Sequence, residues 1–204
     1  MNQNEKWNQR YSEMAEAGEP AKVLTDFSHL LPAEGIALDL ACGLGANALF
    51  LARQGLTVQA WDTSQVALTK LQASAACQRL KIQTRQRDCE QHPPEPETLD
   101  VLVVSHFLYR PILNALVESL RPGGLIYYET HTLERPGHVT GPSNPDYLLK
   151  PGELLDVFGQ LQVHTYREDG MVGDLQKGWR GKASIVASKA GSSPHFSQVI
   201  TNLA

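Results

Sequence analysis

Short apolar runs alternate along the chain with stretches in which apolar residues recur every three or four positions, a pattern of strands interleaved with helices. Residues 36–41 form an apolar run that meets Cys42-Gly43-Leu44-Gly45, and an alanine- and leucine-rich segment at 46–53 follows before Gly55. This predicts strand, glycine turn and helix, with Gly55 just past the helix end. Residues 57–61 predict a second strand, and Thr63 and Ser64 are N-cap residues for a helix whose apolar face runs Leu68, Leu71, Ala75. A third strand starts at residues 82–84. After a proline-rich loop at 91–97, residues 99–104 are almost wholly apolar, as expected of a parallel strand covered on both faces at the centre of a sheet. Leu113, Leu116, Val117 and Leu120 share one helical face, Pro122-Gly123-Gly124 is expected to end that helix, and residues 125–129 predict a fifth strand.

The last third changes character. Pro151 is expected at the first position of a short helix over 152–158, and residues 161–167 and 182–188 predict two strands joined without a helix. Such a link suits antiparallel pairing, because a parallel return needs a crossover. The fold class that follows is α/β, a doubly wound, mostly parallel sheet with a C-terminal antiparallel hairpin. The stretch 131–147, with three prolines and two glycines, is long for a plain loop and suggests a binding loop or lid. Residues 190–204 are polar and unpatterned, and a loose tail is expected there.

Composition narrows the functional classes. The 204 residues suit one domain, and 42% apolar with 20% charged residues is ordinary for a globular chain. Eighteen basic against 22 acidic residues leave a net charge of −4 with no basic run, so nucleic acid is not expected as the main partner. Cys42, Cys77 and Cys89 are odd in number and form no Cys-x-x-Cys pair, which points away from a disulfide framework or zinc ribbon and toward a reducing cytoplasm. No apolar run approaches the roughly 20 residues of a membrane span, so no membrane association and no export are expected.

The strongest chemical signal is Asp39-Leu-Ala-Cys-Gly-Leu-Gly-Ala-Asn-Ala48. Gly43 and Gly45 let the backbone turn from strand to helix and approach a ligand, while the helix start offers unpaired N–H groups. Gly43-x-Gly45-x-x-Ala48 also fits a dinucleotide pattern, with Asp62 placed 19 residues after Gly43 to take ribose hydroxyls, so an NAD(P)-dependent oxidoreductase is one alternative. Asp39, inside the strand, favours another ligand: an acid aimed at the turn repels a pyrophosphate and attracts an ammonium or sulfonium group. With this acid-then-Gly-x-Gly motif the chain resembles the class I S-adenosylmethionine-dependent methyltransferases. The resemblance implies a seven-stranded Rossmann-like sheet and spans about residues 7–189.

What the resemblance implies for other positions follows the same motifs. Asp62, with Thr63, matches the acid that binds both ribose hydroxyls; Asp88-Cys89 matches the pair framing adenine; Ser105 and His106 match the motif beside the methyl donor; Ala41 and Cys42 belong to the first motif. Trp7-Asn-Gln-Arg10-Tyr11 is similar to an element of the tellurite-resistance and thiopurine-type small-molecule enzymes, in which a helix closes over the cofactor with a basic residue near its carboxylate. Packing of Trp7 and Tyr11 as an ordinary amphipathic helix is an equal alternative. The division implied is a cofactor-covering helix at 1–20, a methyltransferase domain at 21–189 and the tail.

The catalytic side is less marked. His106 and His131 follow the fourth and fifth strands, at the sheet end where an acceptor would sit, and either could take a proton near neutral pH. No metal-binding spacing occurs among the seven histidines. Arg110, Arg167 and Arg180 are candidates for holding an anionic acceptor. The implied activity is methyl transfer from S-adenosylmethionine to a small molecule, with thiol, selenium or tellurium species as acceptors, by a monomer or homodimer. A non-catalytic S-adenosylmethionine-binding regulator is the other alternative.

Overall fold

In the computed structural model, residues 3–191 are described. The strands are β1 Ile36–Leu40, β2 Thr57–Asp62, β3 Ile82–Gln86, β4 Leu99–Ser105, β5 Leu120–His131, β6 Gln162–Glu168 and β7 Lys182–Ser188. They make one sheet in the order β3-β2-β1-β4-β5-β7-β6, with β4 in the middle. Strands β1 to β5 pair in parallel, and β7 lies between β5 and β6 antiparallel to both. The helices are α1 Gln3–Ser12, α2 Lys22–Asp26, α3 Ala46–Arg53, α4 Gln65–Cys77, α5 Leu113–Glu118 and α6 Glu153–Phe158. The doubly wound sheet with its C-terminal hairpin is the one the sequence predicts. Among the described residues no helix is long and apolar enough to cross a membrane. Of the expected tail, residues 192–204 lie outside the described part.

Both faces of the sheet are covered, which explains the unbroken apolar run of β4. Leu38, Leu40, Leu102 and Val104 enter one core with Ile126, Tyr128, Leu116 and Phe158. Their neighbours Ala37, Val101 and Val103 enter the other with Leu24, Leu51, Leu71 and Tyr127. Asp39 shares the face of Ala37, so the strand alternation aims its carboxyl at the start of α3.

Two local expectations are corrected. The helix over residues 113–120 stops at Glu118, and Leu120 opens β5, paired with Leu99. Pro122-Gly123-Gly124 therefore lies inside a strand rather than ending a helix. A Cβ at Gly124 would lie 2.9 Å from the carbonyl oxygens of Arg121 and Leu99, so only glycine passes this irregularity in register. Pro151 precedes the N-cap instead of occupying the first helical position. Gly152 is the N-cap, with φ +75°, and its N–H donates to Glu168 Oε2 at 3.0 Å.

Gly45 serves packing. It has φ +79°, and a Cβ there would run into the Leu71 side chain on α4. Gly45→Ala is expected to destabilise by about 1–3 kcal/mol through strain and overpacking. Denaturant unfolding checks this, and an unchanged midpoint would show that α4 yields to the methyl group.

Candidate functional site

The order of connection reverses between β1 and β4, and in open α/β sheets the crevice for a ligand lies beyond the strand ends at such a point. A cavity of about 370 Å³ opens there, within the usual range for small-molecule sites. Ala41 and His106, which follow β1 and β4, both line it, and both hold left-handed backbone, φ +54° and +56°. That conformation costs a non-glycine residue about 1–2 kcal/mol. Here it turns the backbone away from the sheet at the ends of β1 and β4.

Asp62 and Thr63 line one side, and Arg87, Asp88 and Cys89 continue the wall with Phe107 and Leu108. Asp62 is only 5% exposed. Its Oδ2 accepts from Gly43 N at 2.7 Å and its Oδ1 from Ser64 N at 2.8 Å, so it ties the glycine turn to the start of α4. Burial raises its pKa, opposed by the backbone donors of Ser64, Gly43 and Thr63. Asp88 is exposed and accepts from Glu90 N at 3.0 Å, forming a turn that presents the loop to the cavity. Arg87 fixes this loop: its guanidinium lies 4.2 Å over the Trp61 ring and donates to the carbonyls of His92 and Pro93.

Helix α1 roofs the cavity with Asn4, Trp7 and Tyr11. Trp7 and Tyr11 stack at 5.7 Å, and Arg10 lies over Trp7 rather than lining the cavity. Lys70 on α4 holds the end of this helix by donating to the carbonyls of Tyr11, Ser12 and Met14 at 2.7, 3.1 and 2.6 Å. Asn8 Oδ1 accepts from Ser64 Oγ at 2.7 Å. The Tyr11 hydroxyl approaches Gly43 so closely that a Cβ there would lie 2.7 Å from it. Gly43 is thus needed for close approach, by Tyr11 in this structure. Asn4 Oδ1 is buried beside the cavity without a partner among the described residues, which leaves an acceptor for a ligand N–H or O–H.

Several expected site residues stand behind the cavity. Asp39 is fully buried and braces α3, accepting from Ala48 N at 3.0 Å and Asn47 Nδ2 at 3.3 Å. Burial pushes its pKa up to about 7, opposed by those two donors and reinforced by Asp62. Asn47, not singled out from sequence, is the hub: Nδ2 also donates to Ser105 Oγ at 2.9 Å, and Oδ1 accepts from Ala21 N at 2.8 Å. Ser105 is therefore held by Asn47 and does not line the cavity, nor does Cys42. Burial raises the thiols of both Cys42 and Cys89, the latter to about 12, so neither is an activated nucleophile.

His106 reaches the cavity and His131 stands behind it, with His106 Nδ1 and His131 Nε2 3.3 Å apart. Burial lowers both, and His106, Lys182 and Arg135 help bring His131 to about 4, against Glu129. The three arginines expected to hold an anion are committed elsewhere. Arg110 grips Glu153 through two nitrogens and the carbonyls of Asp146 and Leu148, which fixes the turn carrying Tyr147 into the cavity wall. Arg167 pairs with both oxygens of Asp169. All five N–H groups of Arg180 meet carbonyls of residues 169–177. Among the described residues no group of three His, Cys, Asp or Glu is placed to hold a metal.

Residues 37–124 match the family described as a methyltransferase domain. The ubiquinone biosynthesis O-methyltransferase of Aliivibrio fischeri is 26% identical over 156 residues, 67% of this chain and 65% of that protein. The chain thus spans about two thirds of the length of this curated relative. TehB from Haemophilus influenzae superposes with a TM-score of 0.65 at 24% identity, covering 91% of this chain and 66% of TehB. A structure concerned with conversion of a disulfide bond into a thioacetal group in echinomycin biosynthesis gives 0.68 at 19%, covering 94% and 95%. The [4+2]-cyclase SpnF gives 0.65 at 16%, covering 88% and 85%. The chain has the class I methyltransferase fold.

Proposed function

We propose that the protein transfers a methyl group from S-adenosylmethionine to a small polar or anionic molecule. The observation that carries this reading is the cavity itself: it lies at the reversal point, and its floor and wall, with Asp62, Asp88 and Cys89, come from the segment matched to the methyltransferase family. Asp62 keeps lone pairs for two ribose hydroxyls beyond its two backbone partners, and Asp88 and Cys89 with Phe107 and Leu108 frame a flat base. Asn4 and Tyr11 would hold its amino acid end, with Arg10 supplying counter-charge from beyond Trp7. When bound, S-adenosylmethionine supplies a methyl group already activated on a sulfonium. The protein's part is to orient the acceptor in line with the methyl carbon and to exclude water.

The relatives' names leave the acceptor open: one is an O-methyltransferase and another belongs to the conversion of a disulfide bond into a thioacetal group. The test therefore titrates S-adenosylmethionine, S-adenosylhomocysteine and NAD by calorimetry, then assays methyl transfer to catechols, thiols, selenite and tellurite. Micromolar-range binding of the first two and methylation of one acceptor class are expected. NAD binding alone would support the oxidoreductase. A protein of this fold is also a [4+2]-cyclase, so the second reading is a chain that binds S-adenosylmethionine without transferring its methyl group, and that reading predicts binding with no turnover.

Residues 1–20 form the cover in this proposal. Lys70→Met removes three of the contacts that hold α1 closed, and affinity for S-adenosylmethionine is expected to fall about 3- to 10-fold with little change in unfolding midpoint. A lowered midpoint with unchanged affinity would make α1 core packing instead.

A further inference from the structure

The space beside Gly141 gathers two of the buried side-chain atoms that lack a partner among the described residues. A Cβ at Gly141 would lie 2.8 Å from Arg135 Nη1 and 3.0 Å from His131 Nδ1, and neither nitrogen has a hydrogen-bond partner. Arg135 Nη2 is anchored on the carbonyl of Pro142 at 2.8 Å, so the guanidinium is held there. Guanidinium is donor-only. Two donors facing one small space leave both unsatisfied, whereas a bare Nδ1 gives the arginine an acceptor that one bridging water can reach.

The consequence passes along the pair. A neutral His131 with Nδ1 bare carries its proton on Nε2, and that N–H points at His106 Nδ1, 3.3 Å away. His106 then accepts at Nδ1 and carries its own proton on Nε2. We propose that Arg135 fixes the tautomers of both histidines, so that His106 offers the cavity an N–H rather than a lone pair and the site selects acceptors whose nucleophilic atom is already anionic. This rests on the methyl-transfer reading. No proton has to leave such an acceptor: its lone pair forms the bond to the methyl carbon, and the carbon–sulfur pair returns to sulfur.

The charges around the pair agree. Lys182 on β7 is opposite His131 in register and is paired at 2.9 Å with Glu129 of β5, whose other oxygen accepts from Val23 N at 2.9 Å. That pair is close to neutral, and Glu129 is thereby withheld as a proton acceptor for the histidines. Arg135 from the loop and Arg10 from α1 leave the balance positive, which favours anions. Arg135 is a positioning residue here, acting through His131.

Long-range ¹H–¹⁵N NMR of histidine-labelled protein reads the tautomers without cofactor, with His106→Gln and His131→Gln assigning the signals. Bare Nδ1 and protonated Nε2 are expected for both rings at pH 7.5, with Arg135→Met releasing His131 to a mixture. A protonated Nδ1 on either ring of the unmodified protein overturns the proposal. The second arm uses substituted thiophenols and phenols of graded acidity. The acidic limb of kcat/KM is expected to follow each acceptor's own pKa, and Arg135→Met to lose about tenfold or more. A limb fixed at one pH for every acceptor marks a histidine base and overturns it. Absence of turnover while S-adenosylmethionine binds overturns methyl transfer and the acceptor class with it, and the NMR result then decides the tautomer assignment separately.

Discussion

Asp62→Ala is expected to weaken S-adenosylmethionine binding by roughly 10- to 150-fold, the loss of a charge-assisted acceptor worth about 1.5–3 kcal/mol. The structure adds a second cost. Asp62 accepts from the N–H groups of Gly43 and Ser64 in a buried position, and a buried donor left unsatisfied costs about 1–3 kcal/mol. Stability should therefore fall together with affinity, in contrast to a residue that only touches ligand. Asp62→Asn removes the charge while its one oxygen still accepts from the turn, so it should lose affinity with a smaller loss of stability than Asp62→Ala, its NH2 facing the other backbone N–H. Calorimetry and denaturant unfolding on both variants are the measurements. Undiminished affinity in a folded Asp62→Ala protein would remove the ribose role.

The sheet was legible because its causes are local. Apolar runs, the glycine turn at 43–45 and the Ser64 cap act over a few residues, and α3 and β7 occur with the boundaries expected. That the C-terminal strands pair antiparallel also follows from a link without a crossover helix. The insertion of β7 between β5 and β6 does not, because it depends on which edge β5 leaves open. The path of β5 through Pro122-Gly123-Gly124 was misread for a related reason: those residues mark a helix end and a strand irregularity equally well, and only pairing of Leu120 with Leu99 distinguishes them.

At the site, acids at strand ends were readable and arginines were not. Arg110, Arg167 and Arg180 spend their donors on carbonyls and carboxylates brought near by loops, so their availability is a property of the loop path. Arg135, whose Nη1 is buried without a partner among the described residues, lies in the loop after β5, and nothing local in the sequence sets it apart. Asn47 did carry a signal: an amide in the apolar first turn of α3 needs buried partners, and Asp39, Ser105 and Ala21 N–H are those partners.

Asp39 makes the protein's behaviour depend on pH in two opposite ways. Its folded pKa, pushed by burial to about 7, lies above the unfolded value near 4, so the native state binds the extra proton in between. The contribution of this group to stability is full below about pH 4 and is lost as pH rises through 7, by up to about 4 kcal/mol for a rise of that size. Binding of a cation beside the glycine turn favours the carboxylate, so S-adenosylmethionine affinity should rise over the same window and binding near pH 6.5 should release part of a proton. Calorimetry in buffers of different ionisation enthalpy counts that proton. S-adenosylhomocysteine, which lacks the sulfonium charge, is the control on the unaltered protein and should release less. Equal proton release by the two ligands, or an unfolding free energy that rises steadily from pH 5 to 7.5, would mean that Asp39 only braces α3 and takes no part in sensing the charge of the methyl donor.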